Sequence, residues 1–175
     1  MSRQRGHEHR EDLAGEHPFG DNGQLILLII FMGVWIVDSF VLRISTWAVP
    51  YVPLYFRTPV SAVFLLIAGY FAQQGMKAVF GEERSKPVVI RKGVFGRVRH
   101  PVYLGCIIFY VALVVFTLSI FAAIVCVVII AFYHYIARYE EKLLLSKFGT
   151  AYEEYMNAVP MWFPRIKTKI APVRP

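Results

Sequence analysis

Two polar clusters bracket a long apolar run in this chain. Arg99, His100 and Tyr103 stand at its start, and Arg138-Tyr139-Glu140-Glu141 at its end. His134, Arg138 and Glu141 are spaced i, i+4, i+7, which puts them on one helix face, with Tyr133 and Glu140 on an adjacent stripe. These residue types can do chemistry. An arginine grips a carboxylate or phosphate in bidentate fashion, and a glutamate or histidine accepts a proton. Ionisable groups at the mouth of a membrane bundle line substrate paths. The plainer alternative is a solvated helix end in which Arg138 pairs with one glutamate. His134 taken alone reads as an interfacial or core histidine rather than a base.

The elements that would position these groups follow from apolar length. Residues 101–136 are almost all apolar, and as one helix they would reach about 54 Å at about 1.5 Å per residue, against a hydrocarbon core of about 30 Å. The run must therefore fold as two helices, and Thr117-Leu118-Ser119, its least apolar point, is where the turn belongs. Pro101 suits the first turn of the first of these helices, where a missing N–H costs nothing. Such a hairpin returns Glu140 to the depth of His100. Gln24 to Leu42 is a further span, and another runs from Thr58 to about Gln74 and on through Lys77 to Phe80. Gly69 and Gly75 in that span could allow close helix contact. Asp38 reads as an interfacial carboxylate beside Arg43, the alternative being an intramembrane ionisable site. Residues 43–59, rich in proline and aromatics, read as an interfacial connector.

Composition agrees with a membrane protein. Of 175 residues 57% are hydrophobic, mean hydropathy is +0.49 and net charge is +7. A basic excess of this kind belongs to cytoplasmic loops facing anionic lipid, and no nucleic-acid-binding module is visible. Sixteen of the 19 Lys and Arg fall in the N-terminal tail, the 81–99 loop and the segment from Arg138, all on one side of a four-span topology. The positive-inside rule places that side, with both termini, in the cytoplasm. Cys106 and Cys126 lie in apolar segments and imply no disulfide framework.

The expected fold is an all-α integral membrane protein of about four transmembrane helices, the last two a tight hairpin, followed by a C-terminal amphipathic interfacial helix. Its expected divisions are a mobile tail over 1–22, two transmembrane helices over 23–80, a core over 81–165 and a basic tail over 166–175. The tail is charged and polar, unlike a cleaved signal, and its His7, His9 and His17 do not close a metal-ligand set. In the core, Val88-Val89-Ile90 reads as a short extended piece, and Gly93 and Gly96 as a turn. Residues 141–157 are amphipathic, interrupted by Gly149. Val159-Pro160-Met161-Trp162-Phe163-Pro164 is too short to span and reads as an interfacial anchor or the cover of a lipid-facing pocket.

Two ordered blocks carry a family resemblance. The first is Gly93-Val94-Phe95 followed by Arg99-His100-Pro101-Val102-Tyr103-Leu104-Gly105. The second joins Glu140-Glu141, Leu144, Phe148-Gly149, Tyr152, Tyr155 and Val159-Pro160 in fixed spacing and closes on Pro164. Over about residues 60–165 the chain resembles the isoprenylcysteine carboxyl methyltransferases and phospholipid methyltransferases of membranes. The resemblance implies an enzyme using S-adenosylmethionine at the cytoplasmic face, with Val89, Ile90, Phe95, His100, Pro101, Tyr103 and Glu140 at the cofactor. Arg138 would hold an anionic headgroup or carboxylate, and Glu141 or His134 would take a proton from an amine or hydroxyl acceptor. The implied partners are a lipophilic substrate and membrane lipid. The sequence departs from the family pattern in two places. Phe95 stands where tyrosine is common, and Ile136 stands where isoprenylcysteine enzymes carry a substrate arginine, which weakens the case for a prenylcysteine carboxylate. Two other readings are a steroid-reductase-like oxidoreductase, whose longer C-terminal pattern is not evident, and a non-catalytic four-helix scaffold.

Overall fold

The computed structural model describes residues 20–81 and 88–163; the expectations for residues 1–19 of the N-terminal tail with its three histidines, for the basic C-terminal tail and for Pro164 concern positions outside these, while residues 20–22, expected in the tail, are already helical. Five α-helices form among the described residues and no strand, so Val88–Ile90 joins no sheet. Helix α1 (Gly20–Ile36) continues into a π-helical turn over Val37–Leu42, α2 is Leu54–Phe80, α3 is Pro101–Thr117, α4 is Ile120–Phe148 and α5 is Thr150–Ala158. Three helical stretches are long and apolar enough to cross a membrane, Asn22–Leu42, Leu54–Phe80 and Ile120–Phe148. Helix α3 is shorter, 17 residues and about 25 Å. It nevertheless joins the two ends of the bundle, because its start lies beside Glu140 and Glu141 and its end meets Trp35 and Arg57.

The turn between α3 and α4 falls where apolar length required it. Leu118 adopts a left-handed conformation, with φ of 54°, and Ser119 caps α4, its Oγ accepting from the Ala122 N–H at 3.0 Å. Asp38 lies at this turn, and its partners are Ser45 and Ser119 rather than the Arg43 side chain. Its side chain is buried and accepts from the hydroxyls of Ser45 and Ser119 and from the Ser45 N–H at 3.0 Å. A buried carboxylate requires such donors, and here they come from two other segments. The Trp35 indole N–H adds bonds to Leu113 O at 3.1 Å and Thr117 Oγ1 at 3.0 Å.

The connector is shorter than its composition suggests, because α2 starts at Leu54 and carries Pro59 inside its second turn. A proline so near a helix start removes a single backbone bond. Buried Arg57 donates to Val52 O and to Phe116 O, placing a cation at the carbonyl end of α3. Helices α2 and α3 approach closely at glycines. A Cβ on Gly105 would lie 2.8 Å from Ala68 O and 2.9 Å from Ala72 N, and one on Gly75 would lie 2.6 Å from Val102 Cγ2. Gly69, by contrast, faces open space. The main apolar core sits between α1, α3 and α4: Phe31, Tyr110, Ala122, Cys126, Ile129 and Tyr133. At the other end, α4 runs on to Phe148, and Gly149, at φ 55° and ψ −132°, turns the chain into α5. A side chain rarely tolerates that conformation.

Candidate functional site

The hairpin brings both polar clusters to one level. His100 precedes Pro101 at the start of α3, and Tyr103 follows three residues on. Glu140 and Glu141 lie on α4, opposite them. The Tyr103 hydroxyl donates to Glu140 Oε1. His100 Nε2 lies 3.2 Å from Glu141 Oε1, and its Nδ1 lies 3.8 Å from Glu140 Oε2. Glu141 is 3% exposed and His100 8%, whereas the Glu140 side chain keeps 15% of its surface.

A carboxylate as buried as Glu141 needs a cation, and Arg99 supplies it with Nε 2.7 Å from Oε1. That N–H is not aligned on the oxygen, so the contact is one of charge rather than a directed hydrogen bond. The rest of the Arg99 side chain reaches the C-terminal segment, donating from Nη1 to Met156 O at 2.7 Å and Val159 O at 3.1 Å. Its backbone N–H donates to Pro160 O at 3.0 Å. The basic loop and the segment from α5 onward are thereby tied together. Arg91 extends the seam by donating to Ala151 O, and the Tyr155 hydroxyl donates to Phe95 O at 2.7 Å. Burial pushes the phenols of Tyr152 and Tyr155 up from their ordinary range, so both stay neutral hydroxyls. The Glu141 charge adds to the effect at Tyr152, and the neighbouring Tyr152 adds to it at Tyr155.

Aromatic rings line the cluster. His100 stacks parallel to Tyr103 at 5.7 Å, Tyr103 lies 5.2 Å from Tyr133, and Trp162 lies 5.9 Å from His100. The Trp162 indole donates to His134 Nδ1 at 3.2 Å. Tyr133 reaches α1 through Gln24 Oε1 at 3.4 Å.

Of the residues singled out in the sequence, Arg99, His100, Tyr103, Glu140 and Glu141 come together. His134 and Arg138 lie on the exposed side of α4, His134 against Trp162. Pro101 is buried against Gly75 of α2, and Val89 packs on the Tyr152–Tyr155–Val159 cluster. Ile90 is half-buried in the loop, and Phe95 contributes its backbone carbonyl to Tyr155. The sequence placed Arg99 in the first polar cluster but not its partners, which lie 42 to 61 residues further along the chain. Trp162 could be suspected from its apolar aromatic stretch, but its two histidine neighbours could not.

A family model described as phospholipid methyltransferase matches residues 63–151, just over half of the 175 residues. The chain belongs to this family. The matched region holds most of α2, the basic loop, α3 and all of α4, and therefore all five of Arg99, His100, Tyr103, Glu140 and Glu141. Helix α1 and the Trp162 segment lie outside it. No curated protein matches the chain. Membership of a methyltransferase family, together with three membrane-competent helices, makes this an integral membrane protein of a methyl-transferring group.

Proposed function

We propose that the protein transfers a methyl group from S-adenosylmethionine to a lipophilic acceptor at the cytoplasmic membrane face. The observation that carries this reading is the Tyr103–Glu140 and His100–Glu141–Arg99 network at one end of the α3–α4 hairpin. The residue chemistry fits the cofactor. Glu140, the more open of the two carboxylates, suits ribose hydroxyls or an ammonium group, and the faces of His100 and Tyr103 suit a flat base or a sulfonium cation. When bound, S-adenosylmethionine supplies a methyl on a positively charged sulfur, open to in-line displacement.

The chain's own part is alignment and exclusion of water. Tyr103 fixes the rotamer of Glu140 by its hydroxyl, and Arg99 and His100 fix Glu141. Two reactants held in line gain about 7–11 kcal/mol of the barrier through effective molarity. Arg138, about 27 Å along α4 from Ile120, lies near the far edge of a roughly 30 Å hydrocarbon core, where its long side chain extends to headgroup depth, and it suits an anionic lipid group or a carboxylate on the acceptor. His134 offers its Nε2–H as a donor, because the donor-only indole of Trp162 occupies the lone pair on Nδ1. The proposed acceptors are a lipid headgroup or a prenylcysteine-type carboxylate. The cytoplasmic assignment is a sequence argument: sixteen of the 19 Lys and Arg fall in segments that a four-span topology puts on one side. Family membership favours methyl transfer over the reductase and scaffold readings.

The test is binding of S-adenosylmethionine and S-adenosylhomocysteine to purified protein in detergent and in lipid nanodiscs, with Glu140→Gln and His100→Ala alongside. Each substitution should weaken binding about tenfold or more, as loss of a charge-assisted hydrogen bond does. A folded wild type that binds neither compound in lipid would refute the reading.

A further inference from the structure

The segment after α5 does more than close the chain over the loop. Arg99 fixes its base through Met156 O, Val159 O and Pro160 O, and Trp162 lies just beyond these anchors. The indole is half-buried and sits between two histidines of opposite character. His100 belongs to the buried polar cluster, with ring centroids 5.9 Å away, whereas His134 is an exposed residue of α4, with centroids 6.3 Å away. His134 lies 14 residues into α4, about 21 Å from Ile120, which is within the roughly 30 Å hydrocarbon depth. An exposed imidazole at that depth needs a partner, and the Trp162 N–H at 3.2 Å supplies one. The neighbouring Phe163 is 83% exposed. Trp162 thus stands between the polar cluster and the lipid-facing side of α4.

We propose that Trp162, latched by His134, is the acceptor-side wall of the site, and that this pair determines which lipophilic acceptor reaches the reacting methyl. The proposal rests on the methyltransferase reading above. Both residues act on the acceptor, while the donor is held by Glu140, Tyr103 and His100 on the inner side. An indole ring sets the width available to an acceptor chain, and its hydrogen bond sets the ring's orientation. Loss of the ring should therefore alter selectivity more than it alters donor affinity. Loss of the latch alone should alter selectivity in the same direction, to a smaller extent.

Two measurements test this, and the first needs no substrate. In nanodiscs containing brominated phosphatidylcholine, the fluorescence lost in Trp162→Phe relative to wild type isolates one of the chain's three indoles. That component should be quenched by the bromolipid, and a component untouched by it would overturn the placement. The second measures kcat/KM for dioleoyl-phosphatidylethanolamine, N-acetyl-S-farnesylcysteine and butanethiol, together with the Kd of S-adenosylhomocysteine. Trp162→Ala should change the ratio of kcat/KM between the bulkiest and smallest accepted compound by about tenfold or more, with Kd held within about twofold. Trp162→Phe and His134→Ala should each shift the ratio about threefold in that direction. An unchanged ratio, or a Kd that weakens as much as kcat/KM, would overturn the proposal while leaving the methyltransferase reading intact. A wild type that binds no S-adenosylhomocysteine would instead remove the reading on which it rests.

Discussion

Arg99 offers the sharpest test of how the site is held. In Arg99→Gln the charge is removed from beside Glu141, a carboxylate 3% exposed, with side-chain exposures of 11% and 4% for the pair. Breaking a buried pair by deleting one partner costs about 3–5 kcal/mol, since the remaining charge stays desolvated. The carbonyls of Met156 and Val159 also lose their cationic donor, worth about 1.5–3 kcal/mol each where they stay dry. Solvent reaches the segment once its anchor is gone, so about 4–6 kcal/mol is the expected total rather than the full sum. Removing both charges, as Arg99→Met with Glu141→Leu, leaves the carbonyls and the His100 Nε2 unmet but no buried unpaired charge, and should cost about 1–2 kcal/mol less than Arg99→Gln. The assay is unfolding by SDS titration in mixed micelles followed by far-UV circular dichroism, with Arg138→Gln as reference. Arg138 is exposed on α4, one turn before Glu141, and its loss should stay within about 0.5 kcal/mol. If Arg99→Gln destabilises no more than Arg138→Gln, or if the double variant is worse than the single one, the account of Arg99 as the anchor of Glu141 and of the C-terminal segment is wrong.

Other outcomes follow from the same geometry. Gly105→Ala forces a methyl against the backbone of Ala68 and Ala72, which cannot rotate away, and should cost about 1–3 kcal/mol by the same titration. Gly69→Ala meets open space and should be neutral or stabilise by about 0.5–1 kcal/mol through helix propensity, and the opposite order would contradict the α2–α3 packing. Asp38→Ala leaves the Ser45 and Ser119 hydroxyls and the Ser45 N–H without their acceptor, and a loss of about 2–4 kcal/mol is expected; a loss below about 0.5 kcal/mol would contradict this buried network. Tyr103→Phe removes the donor to Glu140 and keeps the ring against His100. Isothermal titration should show S-adenosylhomocysteine binding weakened about fivefold to tenfold with the unfolding midpoint little changed, and equal affinity would take Glu140 out of the donor site.

Hydrophobic length, glycine and proline determined the larger features of this protein by themselves. A run of 36 apolar residues is too long for one crossing, and its weakest point, Thr117 to Ser119, is where the helix turns. Once that turn is placed, antiparallel geometry brings His100 back to Glu140 and Glu141 without any further information. Gly149 ends α4 because its φ and ψ exclude a side chain. Pro59 was less informative: proline marks helix starts as well as loops, and here α2 begins five residues before it.

Contacts between segments that no spacing rule relates were decided only by the tertiary structure. Asp38 looks like an interfacial acid beside Arg43, yet Ser119, 81 residues away, turns it into a buried acceptor at the start of α4. Gly69 and Gly75 are equivalent in the sequence, but only Gly75 faces α3, because helix rotation is set by packing. Arg99 stands out in the sequence beside His100, but its partners, Glu141 and the carbonyls of Met156, Val159 and Pro160, appear only in the fold. His134 and Glu141 share a face by count, and the fold sends one to the exposed side against Trp162 and the other into the interior. Periodicity fixes which residues lie along one stripe of a helix. Burial, and with it the chemistry of each side chain, is fixed by the neighbours that stripe meets.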